Sequence, residues 1–316
     1  MRSGKKESVS KLAALRHDSP AQAAYALTLL DAKNGLEAVR AALDVLAKHP
    51  QEAARPKLRA LYEHYAAHNG TRDVGAYTRS AILKALRSVA RPADTDILLA
   101  AVTTYEFPPP AFAEEAGLLR GVALVILNEV DEQLARYFAT RLLADGYAER
   151  MSGEPALTAA KALASQEEWL PIYFYAVQNA DGGQPEVTAE CLRQLTAAPL
   201  PVVHELIKQF GAGENLPALV GLFDLLLQHR SGPQGIDYLI DFLKTTRDMD
   251  LYRYLCMVMA TSPEASVRAA LAAAGRFEQA RAKLEILRDA LVLAPPDPAL
   301  AELSDHLASS RGGRRG

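Results

Sequence analysis

YTRSAILKALRSVARPADTDILLAAV, residues 77–102, holds two apolar runs separated by a short polar break that contains Pro92. In the first run Ala81, Ile82, Ala85 and Leu86 recur at intervals of three and four, and Ile97, Leu98, Ala101 and Val102 repeat that spacing in the second. Each run predicts an amphipathic helix. Neither helix could bury its stripe alone, so the stretch calls for neighbours of the same kind.

The neighbours are present. RSAILKAL, ending at Leu86, aligns with RGVALVIL at Leu127, LTAAKAL at Leu163, TAECLRQL at Leu195 and VGLFDLLL at Leu226, at intervals of 41, 36, 32 and 31 residues. Each is followed by a turn and a second apolar run: DTDILLAAV, DEQLARYFATRLL, WLPIYFYAV, PVVHELIKQF and GIDYLIDFL. AAYAL with LEAVRAALDVL reads as a further copy near the N-terminus, and residues 51–69 as an extra helix after it. Ser19-Pro20, Ser262-Pro263 and Asp297-Pro298 read as helix starts, while NG at 69–70, DGG at 181–183 and GAG at 211–213 mark breaks. No Val, Ile or Thr-rich stretch alternates with the period of a strand. The expected fold is all-α: a right-handed α-solenoid of about six or seven stacked antiparallel helical hairpins. It would span 19–306, between a basic disordered segment at 1–18 and a disordered Arg/Gly tail at 307–316.

These helix pairs, together with PEASVRAALAAAG at 263–275 and its Val267-Arg268 and alanine ladder, resemble HEAT-like α-solenoid repeats over roughly 19–293. HEAT-like proteins include scaffolds, adaptors, chromophore-attachment proteins and a few DNA glycosylases. The resemblance therefore implies a fold and leaves function open between an interaction scaffold, a nucleic-acid or base-excision protein, and an accessory or lyase-type protein holding a small ligand. The spacing after Leu226 leaves the roles of the helices over 248–293 unassigned.

Charge narrows the choice. The net charge is −3, but residues 1–16 carry +4 and residues 307–316 carry +3, leaving −10 on residues 17–306. An acidic body is a poor footprint for phosphate, so nucleic acid is not the favoured partner. A basic or amphipathic protein or peptide segment is. Arg79, Lys84, Arg87, Arg91, Arg120, Arg136 and Arg141 are the cations that a nucleic-acid surface would have to gather. Cys191 and Cys256 each fall in an apolar helical pattern and read as core residues in a reducing compartment. No apolar run reaches membrane-spanning length and no secretory signal opens the chain, so a cytoplasmic protein is expected.

Few residues suggest chemistry. His64 and His68 lie one helical turn apart in EHYAAH, as a metal site would require, but no third ligand is near and a helix-end pair reads as well. EEWLPIYFYAV holds the only tryptophan; on a helix Trp169 and Tyr173 share a face from which Phe174 and Tyr175 turn away. Such rings either anchor a partner or fill the core between repeats. Trp169, Tyr173, Tyr175 and His204 are the candidate partner-binding residues, and the first two with His204 would line the pocket of a small-ligand protein. The carboxylate pairs, such as Glu114-Glu115, Glu129 with Asp131 and Glu132, and Glu167-Glu168, read as solvated residues at turns and helix starts. No phosphate-binding glycine loop or nucleophile elbow occurs, so no cofactor is expected and no catalytic residue is assigned. YEFPPPAF at 105–112 reads as a stiff connector, one that could protrude from the edge of the stack.

Overall fold

A computed structural model describes residues 2–67, 70–149 and 152–312. These residues form two compact units, one through Glu168 and one from Trp169, where the sequence suggests a single body over 19–306. Among the described residues there are helices and 3₁₀ turns but no strand.

The first unit contains α1 (Arg2–Ala14), α2 (Ser19–Leu29), α3 (Leu36–Lys48), α4 (Arg55–Ala66) and α5 (Tyr77–Leu86). It continues through α6 (Thr95–Val102), α7 (Gly117–Val130), α8 (Glu132–Ala144) and α9 (Ala156–Ser165). The odd-numbered helices pack side by side in one contiguous row, and each even-numbered helix lies on the odd one that follows it. The helix expected near 51–69 is α4, and it packs on α5 as α2 packs on α3. It is thus a regular member of the series rather than an insertion.

The second unit contains α10 (Trp169–Gln178), α11 (Pro185–Gln194), α12 (Leu200–Phe210), α13 (Leu216–Gln228) and α14 (Ile236–Thr245). After these come α15 (Met249–Ala260), α16 (Ala265–Gly275), α17 (Arg281–Leu293) and α18 (Pro298–Gly312). Here α11, α13, α15 and α17 form one row, and α14, α16 and α18 a second. The helices over 248–293 that spacing left unassigned therefore alternate between two rows.

Both termini carry helix. Arg2–Ala14 is helical, with Leu12 buried and Gln22 of α2 donating its amide to the Leu12 carbonyl at 3.0 Å. At the other end α18 runs to Gly312 with Leu307 buried, and residues 313–316 lie outside the described residues. Helix starts follow side-chain capping. Asp18, rather than Ser19, caps α2; Asp131, Asn215 and Asp248 cap α8, α13 and α15. Asp297 accepts from the Ala299 and Leu300 amides at the start of α18.

Two contacts show what holds the rows in register. Gly221 of α13 meets α11 so closely that a Cβ there would sit 2.3 Å from the Ala189 carbonyl oxygen and 2.8 Å from its Cα. Asp94, fully buried ahead of α6, accepts two hydrogen bonds from Arg55 (2.9 and 2.8 Å), one from Arg59 (2.8 Å) and one from the Arg91 amide (2.9 Å). Burial alone would raise the Asp94 carboxyl, but the two guanidinium groups and the amide outweigh it and hold the carboxyl below its ordinary value.

Gly221→Ala should therefore destabilise the protein by about 1–3 kcal/mol, since the added methyl strikes backbone. Helix propensity alone predicts the opposite sign, a gain of about 1 kcal/mol; the shift of the urea midpoint decides between them. For Asp94, a depressed folded-state pKa means stability that is present above the unfolded value of about 3.9 and is lost as pH falls through the folded one. Asp94→Asn should cost roughly 3 kcal/mol at pH 7. It should also flatten the decline of thermal midpoint below about pH 4 that is expected of the native chain.

Candidate interaction site

The aromatic residues singled out by sequence lie on α10. Trp169 and Tyr173 do share a face, their rings meeting edge-on at 6.3 Å, and Phe174 is exposed. Tyr175 turns toward the interior, where burial and then the neighbouring Cys191 push its hydroxyl up to about 12. Ile172 and Ala176 are the buried residues of this helix. His204 is exposed on α12. The cavities described below are lined by other residues. In the first unit, His64 is engaged by Arg72, whose guanidinium lies 3.2 Å from Nδ1 and donates to the His64 carbonyl at 3.3 Å. His68 lies outside the described residues, and among those described no three potential ligands gather around a point. Cys191 and Cys256 are buried free thiols; burial pushes Cys256 up to about 12. No described helix is long and apolar enough to cross a membrane.

A groove in the second unit went unread. Along α11, α13 and α15, Ala189, Leu216, Pro217, Val220 and Leu251 form the apolar walls of a cavity of about 330 Å³. Glu186 and Asp250 stand exposed at its mouth, and neither carboxylate carries an ion pair with a described residue. Arg193 and Tyr254 reach it from below. Arg193 donates from Nε to Asp224 at 2.7 Å and from Nη1 to Glu190 at 2.6 Å. Tyr254 gives its hydroxyl to the other oxygen of Asp224, and Gln194 bonds Glu190 at 2.8 Å. Asp224 and Glu190 are buried, and each has a charged partner. Burial, and then the bond to Asp224, raise the Tyr254 hydroxyl above its ordinary value. A phenol held protonated and carboxylates already paired leave no poised acid, base or nucleophile. The floor is structural; the walls and rim are what a partner would meet. Sequence could have flagged it only through the small Ala189 and Gly221 that let α11 and α13 close together.

Of the seven cations that the nucleic-acid alternative would need on one surface, two are buried and three pair with glutamates. Arg79 and Arg120 are buried, held by Asp73 with Glu106 and by Glu114 respectively. Arg87 pairs with Glu129, Arg91 with Glu52, and Arg136 with Glu132 and Glu168. Lys84 and Arg87 share a depression with Ala47, Ser88, Val122, Val125 and Glu129. Glu114, expected to be solvated, is instead buried at 5% exposure. Arg120 on α7 is fully buried, so its counter-charge must follow it inside.

No family model, curated protein or solved structure matches this chain. The HEAT-like resemblance rests on its helices alone.

Arg193→Met should strand Asp224 and Glu190 as buried, uncompensated charges and cost about 3–5 kcal/mol. Tyr254→Phe removes one hydrogen bond and should cost about 1 kcal/mol. Chemical denaturation of the two variants tests whether the floor is structural: the larger loss must belong to Arg193.

Proposed function

We propose that the chain is a protein-interaction scaffold, its helices stacked as antiparallel hairpins in a HEAT-like right-handed solenoid, and that it holds a basic, amphipathic segment of a partner against α11, α13 and α15. The observation that carries this reading is the groove of the second unit, with apolar walls, two carboxylates at the mouth that form no ion pair with a described residue, and a paired floor. Leu216, Pro217 and Val220 offer dry surface to an apolar side chain, while Glu186 and Asp250 would receive lysine or arginine on either side of it. The mechanism is geometric. A rigid row of helices fixes the distance between apolar slot and acidic rim, so the partner alone loses conformational freedom on binding. The acidity of the body agrees, since it favours encounter with a cation.

The test uses a fluorescein-labelled amphipathic peptide of leucine and lysine and the full chain, with affinity read by anisotropy. Glu186→Lys with Asp250→Lys should weaken binding about tenfold or more, and added salt should weaken it in the native chain. Asp237→Lys with Asp241→Lys on α14 changes net charge identically and should alter affinity less than about twofold. Equal losses in the two double variants would mean that bulk charge attracts the peptide, and the groove reading would fail.

A further inference from the structure

The three loops that precede α5, α7 and α9 are locked together by buried charge. In the first, Asp73 accepts the Thr78 and Arg79 amides at 2.8 Å each and pairs with the Arg79 side chain. Arg79 also pairs with Glu106 of the second loop, and Glu106 accepts the Gly75 amide at 2.9 Å. From the third loop, Asp145 accepts the Tyr105 hydroxyl at 2.7 Å, and the Tyr147 carbonyl accepts from Arg120 at 3.3 Å. Ala76 and Phe112 sit at φ +58° and +50°, left-handed values that cost energy for residues with a side chain and persist only where the surroundings enforce them.

This fixed frame presents large apolar side chains to solvent: Val74, Tyr77, Phe107, Phe112 and Tyr147 are between 44% and 65% exposed. Phe107 and Tyr147 meet edge-on at 5.6 Å. YEFPPPAF is therefore more than a connector; its rings are displayed by a rigid base.

Two adjacent glutamates show what such a surface takes. Glu114 turns inward, lies in an ion pair with Arg120 at 2.7 Å and accepts a hydrogen bond from it at 2.8 Å, while the guanidinium lies 4.0 Å from the centre of the Tyr105 ring. Carboxylate and aromatic face together make an arginine site, and inside the fold it is filled. Glu115 turns outward. Its carboxylate and the ring of Tyr77 approach the same point, 3.0 and 2.6 Å from where a Cβ on Gly75 would be, so only glycine leaves that space open. Glu115 is exposed and carries no ion pair with a described residue. A carboxylate and an aromatic ring thus lie close together at the surface, and no described cation pairs with the carboxylate.

We propose that this loop end docks an arginine-bearing segment of a partner protein, the guanidinium stacking on Tyr77 and pairing with Glu115 while apolar neighbours of the arginine rest on Phe107 and Tyr147. Arginine suits the site better than lysine, because a planar guanidinium can stack and bond a carboxylate in two places at once. The surface is separate from the groove of the second unit and does not depend on it.

The test is anisotropy titration of the full chain against a short fluorescein-labelled peptide carrying one arginine between two leucines, with its citrulline twin as control. The arginine peptide should bind about tenfold or more tightly than the twin, which keeps the shape and loses the charge. Glu115→Gln and Tyr77→Leu should each remove most of that difference, whereas Tyr77→Phe, which keeps the ring, should retain it to within about twofold. The Glu186→Lys, Asp250→Lys chain should bind the arginine peptide as the native chain does, which separates failure here from failure of the groove reading. Equal affinity for the two peptides, or a Tyr77→Leu chain that binds normally, overturns the proposal.

Discussion

Polar ties that reach from one helix pair to the next recur through both units. Arg55 reaches Asp94 across 39 residues, Arg87 reaches Glu129 across 42, and Tyr105 reaches Asp145 across 40. In the second unit Arg193 reaches Asp224 across 31, Tyr254 reaches the same Asp224 across 30, and Arg268 reaches Asp297 across 29. These separations follow the shortening interval between the aligned leucines, from 41 to 31 residues. Apolar stripes slide easily over one another, because contact between alanine and leucine is non-directional. A guanidinium fork has one geometry, and one helix too far along it leaves a charge unpaired. The exposed ties contribute little to stability. The buried ones, at Asp94 and Asp224, contribute register.

That division explains what could be read beforehand. The helices were legible because their signal is local: period, punctuation and the repeat of RSAILKAL all lie within a few tens of residues. The five second helices fall where the apolar runs placed them, from α6 to α14. The regular place of α4 was hidden because only its packing on α5 reveals it. Glu114 was misjudged for a related reason. A glutamate at a turn has the same sequence signature whether it faces water or a buried arginine. Arg120 gives no local warning either, since RGVALVIL reads as an ordinary stripe with a charged edge.

The surfaces were less legible than the fold. Sequence drew attention to Trp169, Tyr173 and Tyr175 because aromatic density is visible in one dimension. The structure uses part of that density for the interior, as with Tyr175 against Cys191. By contrast the groove of the second unit draws Glu186, Val220 and Asp250 from three helices, and no spacing rule connects them. The aromatic loop end draws Tyr77 from the start of α5 and Phe107 and Tyr147 from two loops. Surfaces of this kind exist only once the rows are stacked.

A stacked fold also limits what its surface can do. Catalysis needs a titratable group whose environment is set against its ordinary state. At Asp94 the environment is set in favour of that state, since two arginines and a backbone amide hold the carboxyl below its ordinary value, while Asp224 and Glu190 share Arg193 as their charged partner. Such charges fix position. Glu115 stands exposed near the ring of Tyr77 and pairs with no described residue, whereas its neighbour Glu114 pairs with Arg120. In a molecule that uses arginine and carboxylate to join one helix pair to the next, an unused half of that joint is a natural place for a second chain to attach.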